Sequence, residues 1–305
     1  MSACFNQFDA LYEISKSCRQ VLFSSHWYGF LPTIESGSVT VISKSQGGHK
    51  FDVVNLLNYR EQVKQMSRES RKSLPYDIRL KSINDLVQSV ITSSIGENPF
   101  SWLICEGSSE RIYLNAYYED LVRNKRLRIV PVGGAREIKR LYNYLSTPYE
   151  DLKDEITGRI ILLSDTDSQL VRYETKEYEK LICKRIVNCD TDKETKLVSI
   201  DANPVSPQTE VEHALNGKIY LESLRSFIDN DEHPLSFLLD LDMETTSEKA
   251  SFFSLDLRQS EWEKIDTFLD KNNNKFEIAN RYIKIMTNGE YQVPKWIREI
   301  REMLE

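Results

Sequence analysis

Trp102–Gly107, WLICEG, and Ile160–Asp167, IILLSDTD, are short apolar runs that end abruptly in acid. An apolar run of this length between polar residues reads as a strand buried on both faces, the usual condition of a parallel sheet. Open α/β sheets bind ligands at the carboxyl ends of their strands. Glu106, Asp165 and Asp167 are therefore expected at one edge of such a sheet. Carboxylates gathered there repel one another unless a cation neutralises them, and hard oxygen donors suit Mg²⁺ or Mn²⁺.

Outward from these stretches the pattern is regular. A helix is predicted over Ser109–Asn124, a strand over Arg126–Gly134, a helix over Arg136–Ser146 and the second acidic strand over Arg159–Asp167. Strand and helix alternating through short connections predict parallel βαβ units. Gly107 allows a sharp turn after the first strand. Glu110 lies four residues beyond Glu106, so both can face one site from the first helical turn. Without a cation, Glu110 is a first-turn acid that favours the helix dipole, and Asp165 and Asp167 form an Asx-type turn. On an extended segment the two aspartates point to the same side. Lys125, Arg126, Arg128, Arg136, Lys139 and Arg140 either guide a nucleic-acid backbone or belong to a mixed, solvated helix face.

Upstream, a helix is predicted over 8–19, a buried strand over Gln20–Ser25 ending at His26, and strands over Ser38–Ser43 and about Phe51–Leu57. Residues 60–73 are polar and carry both charges, which marks a boundary. The helix Asp77–Ser94 bridges to the acidic strands. Downstream, 180–200 holds further strands. SFLLDLDME, Ser236–Glu244, reads as an acidic turn after a core segment.

The 305 residues suffice for about two domains. Hydrophobic residues make up 40% and charged residues 29%, the balance of a globular chain. No run of ~18 apolar residues predicts a membrane span, and the first residues lack the basic start and apolar core of a signal peptide. The five cysteines, Cys4, Cys18, Cys105, Cys183 and Cys189, are odd in number and never at CxxC spacing, so reduced thiols and a cytoplasmic location are expected. A net charge of −7 argues against a protein that coats nucleic acid, but leaves room for a nuclease with a local basic strip.

The motifs, taken together, resemble a known family. ICEGSSE (Glu106, Gly107, Glu110), IVPVGGARE (Gly133-Gly134) and LLSDTD (Asp165, Asp167) occur in the order found in TOPRIM domains, and the resemblance spans 99–175. Residues 8–57, with QVLFSSHWYGFLP and His26, resemble the switch-histidine region of ABC-type ATPases of the RecF and OLD kind; on position alone His26 reads equally as a hydrogen-bonded histidine at a strand–loop junction. An ATPase-like segment ahead of a TOPRIM segment is the order of the OLD family of nucleases. VSPQTEVEHALN, Val205–Asn216, resembles that family's third acidic motif, with Glu212 the best candidate and Glu210 second. Lys275, in NNNKFEIANRYIKIM, stands where the family has a lysine, and QVPKWIREIREMLE resembles its closing helix.

The resemblance implies an α/β fold: a Rossmann-like TOPRIM domain with a mainly parallel sheet flanked by helices, after a partial ATPase-like α/β segment and with a helical C-terminal part. The implied domains are 1–75, an ATPase-like remnant with a nucleotide-sensing His26; 76–98, a connecting helix; and 99–305, the TOPRIM nuclease. It implies two-metal hydrolysis of DNA phosphodiesters by a Mg²⁺- or Mn²⁺-dependent endonuclease or nickase that works with an ATPase module in phage defence or DNA processing. Glu106, Asp165 and Asp167 would hold one ion, Glu110 and Glu212 the second, and Lys275 would neutralise transition-state charge. Lys125, Arg126, Arg136 and Lys139 would take the nucleic acid. The chain has no GxxxxGK[ST] phosphate loop, and Gly47-Gly48-His49-Lys50 is too short to replace one, so no ATP hydrolysis by this chain alone is expected. An ATPase partner or a missing ATPase half, and a homodimer, are the expected assemblies. Two other readings stand beside this one: an RNA or tRNA endonuclease released by an ATPase partner, and a non-catalytic remnant that serves as an interaction module.

Overall fold

The structure, a computed structural model, describes residues 2–305 apart from 28, 30, 35, 58, 60–61, 63–75, 125, 167–170, 203–207, 244–245 and 272, with side chains of 2–6, 9, 32, 45 and 76–81 also left out. Asp167, Lys125 and most of the polar boundary at 60–73 therefore lie outside the described residues.

The fold is mixed α/β, built on a five-stranded sheet of order β4-β3-β5-β6-β7. The strands are β3 (Ser101–Cys105), β4 (Leu127–Pro131), β5 (Ile160–Ser164), β6 (Leu181–Cys189) and β7 (Glu194–Ser199). β3 runs parallel to both β4 and β5, while β6 and β7 form an antiparallel hairpin. WLIC and IILLS are buried along nearly their whole length, as runs with no polar face must be. Two compact units divide the chain: Met1–Ser108 with Leu121–Leu162 and Tyr178–Ile182, and Ser109–Asp120 with Leu163–Glu177 and Cys183–Glu305.

In the first unit, α1 (Ser2–Ser17) precedes a separate antiparallel hairpin of β1 (Ser38–Ser45) and β2 (Gly48–Asn55). Leu31, Ile34, Val54, Leu56 and Tyr59 form a small core there, closed by Phe8, Tyr12, Trp27 and Val39. α2 (Tyr76–Ser93) packs on α5 (Ala135–Leu152). Trp102 is fully buried, and its indole N–H donates to Ser93 Oγ at 2.9 Å, which ties β3 to α2.

Three local expectations are corrected. Gln20–Ser25 is not a strand but irregular chain, with Leu22 90% exposed and His26 on the surface. An apolar run becomes a buried strand only where a sheet receives it, and β1 and β2 pair only with each other among the described residues. The helix expected over 109–124 is interrupted at Tyr118, giving α3 (Ser108–Tyr117) and α4 (Glu119–Arg123). The buried Tyr118 hydroxyl donates to Ile297 O at 2.7 Å. The helix expected to stop at Ser146 runs through Pro148 to Leu152, because Ile138, Leu141, Leu145 and Tyr149 continue one buried stripe. Burial of that stripe outweighs the proline's missing N–H.

The second unit holds α3 from Ser109 onward, β6 from Cys183, β7 and the helical C-terminal part: α6 (Gly217–Arg225), α7 (Ser251–Ser254), α8 (Gln259–Leu269), α9 (Asn274–Thr287) and α10 (Lys295–Leu304). α6 packs against α9, and α10 against β7. Trp296 is fully buried and donates to Ala214 O at 2.8 Å. Ser236–Asp240 is a single 3₁₀ turn, as the acidic-turn reading requires. Among the described residues no helix is long and apolar enough to cross a membrane.

Candidate functional site

Glu106 is the first residue beyond β3 and is 7% exposed. Its carbonyl accepts from Gly133 N at 2.7 Å and Gly134 N at 3.1 Å, so the turn after β4 is latched onto the end of β3. Both glycines have positive φ, +89° and +114°. The freedom that the sequence reading placed at Gly107 is used at this pair. Gly134, at φ 114° and ψ 166°, occupies a region that is essentially closed to other residues. Gly134→Ala should therefore cost ~1–3 kcal/mol of stability in urea unfolding, whereas alanine at the half-buried, normally folded Gly107 should cost less.

Asp165 follows β5 in the second unit. Its backbone is held by Arg185, whose side chain is only 1% exposed. Arg185 Nη1 donates to Asp165 O at 3.0 Å, and Nη2 donates to Val171 O at 2.6 Å and Ile200 O at 3.4 Å. Thr166 pairs through its backbone with Thr209, and its hydroxyl donates to Ile186 O at 2.7 Å. These contacts fix the two ends of 165–171. Sequence reasoning missed Arg185. The signal was present: Leu181, Cys183 and Arg185 share one buried phase of β6, and an arginine in that phase must find internal acceptors.

Glu110 is buried in the first turn of α3, 5% exposed. Tyr113, one turn further on, is fully buried and close enough to Glu212 to feel its charge. Tyr113 thus links α3 to the third acidic motif. Glu212 lies in the 3₁₀ turn Val211–Ala214 and is 4% exposed. Among the described residues its Oε1 has no hydrogen-bond partner, nor do the buried hydroxyls of Tyr113 and Tyr220. Burial raises the phenols of both tyrosines, with Glu212 adding to the effect.

Glu210 and Lys275 join this group. Lys275 Nζ is 2.9 Å from Glu210 Oε2 and 3.2 Å from Asp270 Oδ1. Burial alone would lower the Lys275 ammonium, but Glu212 and Glu210 outweigh it and raise it. Lys275 is therefore a fixed cation at neutral pH. His213 braces the turn: its Nδ1 accepts from Glu210 N at 3.2 Å, which leaves the ring proton on Nε2, 3.4 Å from Asp266 Oδ1. Trp262 packs edge-on against that ring at 5.0 Å.

Burial raises the Glu212 carboxyl above its ordinary 4.5, Glu210 adds to the rise, and Lys275 opposes it. An acid raised in the folded state is a stability cost that grows with pH. Below 4.5 both folded and unfolded chains keep the proton and nothing is lost; above it only the folded chain does, and stability falls until the folded group ionises. Glu212→Gln should raise the free energy of unfolding in urea at pH 8 by ~1–3 kcal/mol, and the gain should vanish near pH 4.

Among the described residues the proposed basic side chains are not carried by one element. Arg126 stands at the amino end of β4, whereas Arg136 and Lys139 open α5 beyond its carboxyl end. Arg136 and Arg140 are exposed, and Arg128 stacks over Phe100 at 4.8 Å. Among the described residues no three His, Cys, Asp or Glu side chains are grouped as a metal site. No family model, curated protein or solved structure matches the chain.

Proposed function

We propose that this chain is a divalent-metal-dependent nuclease of the TOPRIM type, acting on DNA as an endonuclease or nickase and working with an ATPase module. The strand order carries the reading. β3, β4 and β5 are the first, second and third strands of a βαβαβ run, and they stand in the order β4-β3-β5. β3 is followed by β4 on one side of it and β5 by β6 on the other, so the topological switch point, where α/β sheets take their ligands, falls between β3 and β5. The first residues beyond these two strands are Glu106 and Asp165.

Glu106, Glu110, Asp165, Asp167 and Glu212 offer carboxylate oxygens only, the donors that a hard cation takes, and are the residues that would hold the metal the resemblance implies. Mg²⁺ or Mn²⁺ there would supply Lewis-acid stabilisation of the scissile phosphate and an activated water. The chain's own residues do the rest. The Gly133-Gly134 latch sets the direction of Glu106, and Arg185 sets that of Asp165. Lys275, held by Glu210 and Asp270, presents a charged ammonium to a phosphate. Arg136 and Lys139 add positive charge at the start of α5.

Supercoiled plasmid, single-stranded DNA and tRNA, each incubated with the protein in Mg²⁺, Mn²⁺ or EDTA, test the reading. Metal-dependent conversion of plasmid to nicked or linear product is expected. Cleavage of tRNA alone would replace DNA by RNA as the substrate, and no cleavage of any substrate would leave the chain a binding module.

A further inference from the structure

The β1–β2 hairpin belongs to the first unit and stands apart from the five-stranded sheet. Its residues face two ways. Val39 and Val54 turn to the small core, and Val54 is fully buried. Ile42, Phe51 and Val53, on the other face, are 60%, 62% and 63% exposed. Ile42 and Phe51 are direct cross-strand neighbours, so the three side chains form one apolar patch on a two-stranded sheet. Among the described residues no strand but β1 pairs with β2; two strands alone are marginal, and an unpaired edge beside an apolar face invites another strand.

The backbone says which groups the open edge of β2 presents. Leu56 N donates to Gly37 O, so the even-numbered residues of this strand turn their N–H and C=O groups toward β1. Asn55 N instead reaches Gln62 Oε1, away from β1. His49, Phe51 and Val53 therefore direct their backbone groups outward, because this direction alternates along a strand.

We infer that this edge pairs with the same edge of a second copy of the chain, β2 antiparallel to β2 about a two-fold axis at Phe51. Charge selects both the partner and the register. Residues directly opposite in a sheet share a face, so the axis must pass through a residue. An axis at Lys50 sets lysine against lysine, and one at Asp52 sets aspartate against aspartate. An axis at Phe51 sets Lys50 opposite the partner's Asp52, twice by symmetry, while Phe51 meets its own copy. Phe51 would exchange two hydrogen bonds with the partner's Phe51, and His49 and Val53 would pair with the partner's Val53 and His49. Within one chain Lys50 Nζ already lies 2.8 Å from Asp52 Oδ1, so the paired strands would carry a two-by-two block of four charges with unlike charges adjacent along and across the strands. The four-stranded sheet gathers both apolar patches on one face.

Sedimentation equilibrium of the full-length chain tests this. The wild type should be a dimer. Lys50→Asp and Asp52→Lys should each weaken it at least ~tenfold, since each replaces attraction by like-charge repulsion at two places, and the double swap should restore it. Circular dichroism separates weakened pairing from a hairpin that fails to form. Phe51→Cys, at an exposed position, gives a second readout: oxidation should link two chains at residue 51, against a wild-type control for the native cysteines. A monomeric wild type, single swaps that leave the dimer unchanged, or a dimer that never forms the residue-51 crosslink would each overturn the proposal.

Discussion

Glu106→Gln should lower Mg²⁺-dependent cleavage of DNA by about 10³-fold or more, ~4 kcal/mol of barrier at 1.36 kcal/mol per decade. The side chain stands directly beyond β3, beside the switch point of the sheet, and its amide keeps the shape while removing the charge that would hold a cation. The Gly133-Gly134 latch uses the Glu106 backbone carbonyl, which the substitution leaves in place. The latch should therefore survive in the variant, and its circular dichroism should match the wild type. Cleavage at wild-type rate would remove Glu106 from the site, and a large loss of stability would show that its carboxylate serves the fold.

Arg185→Met should cost the most in stability of any substitution considered, about 3–4 kcal/mol. Methionine fills much of the same space but donates nothing. The carbonyls of Asp165, Val171 and Ile200 lose a charged donor inside the protein, and a buried acceptor without a partner bears its full desolvation cost. The two ends of 165–171 would then be released together. Urea unfolding should show the drop, and limited proteolysis should show faster cutting within 165–171. Arg185→Lys should recover only part of it, because one ammonium cannot span three carbonyls in the guanidinium's fork geometry. A methionine variant as stable as the wild type would contradict the account of how Asp165 is held.

The sequence carried the sheet more clearly than the site. WLIC and IILLS could be read as fully buried strands because neither has a polar face, and both are. QVLFSS has the same character but lies in irregular chain with Leu22 in solvent. Local pattern says that a run suits a sheet; only long-range pairing supplies one. Strand order was not legible either, since β3 and β5 are separated in sequence by a whole strand and three helices yet neighbour each other in the sheet. At the site, the acids were visible one by one. Their support was not. Arg185 shows in the sequence only as an arginine in the buried phase of β6, not through the carbonyls it bonds, and Tyr113 and Tyr220 reach the field of Glu212 only through tertiary packing. Lys275 was found through the resemblance, and its ion pairs with Glu210 and Asp270 needed the fold.

The central claim is tested most directly by incubating purified protein with supercoiled plasmid. With Mg²⁺ the wild type should convert it to nicked circles, EDTA should stop the reaction, and excess Mg²⁺ should restart it. Plasmid left intact in both Mg²⁺ and Mn²⁺ by folded protein, or nicked equally well in EDTA, would contradict a metal-dependent DNA nuclease.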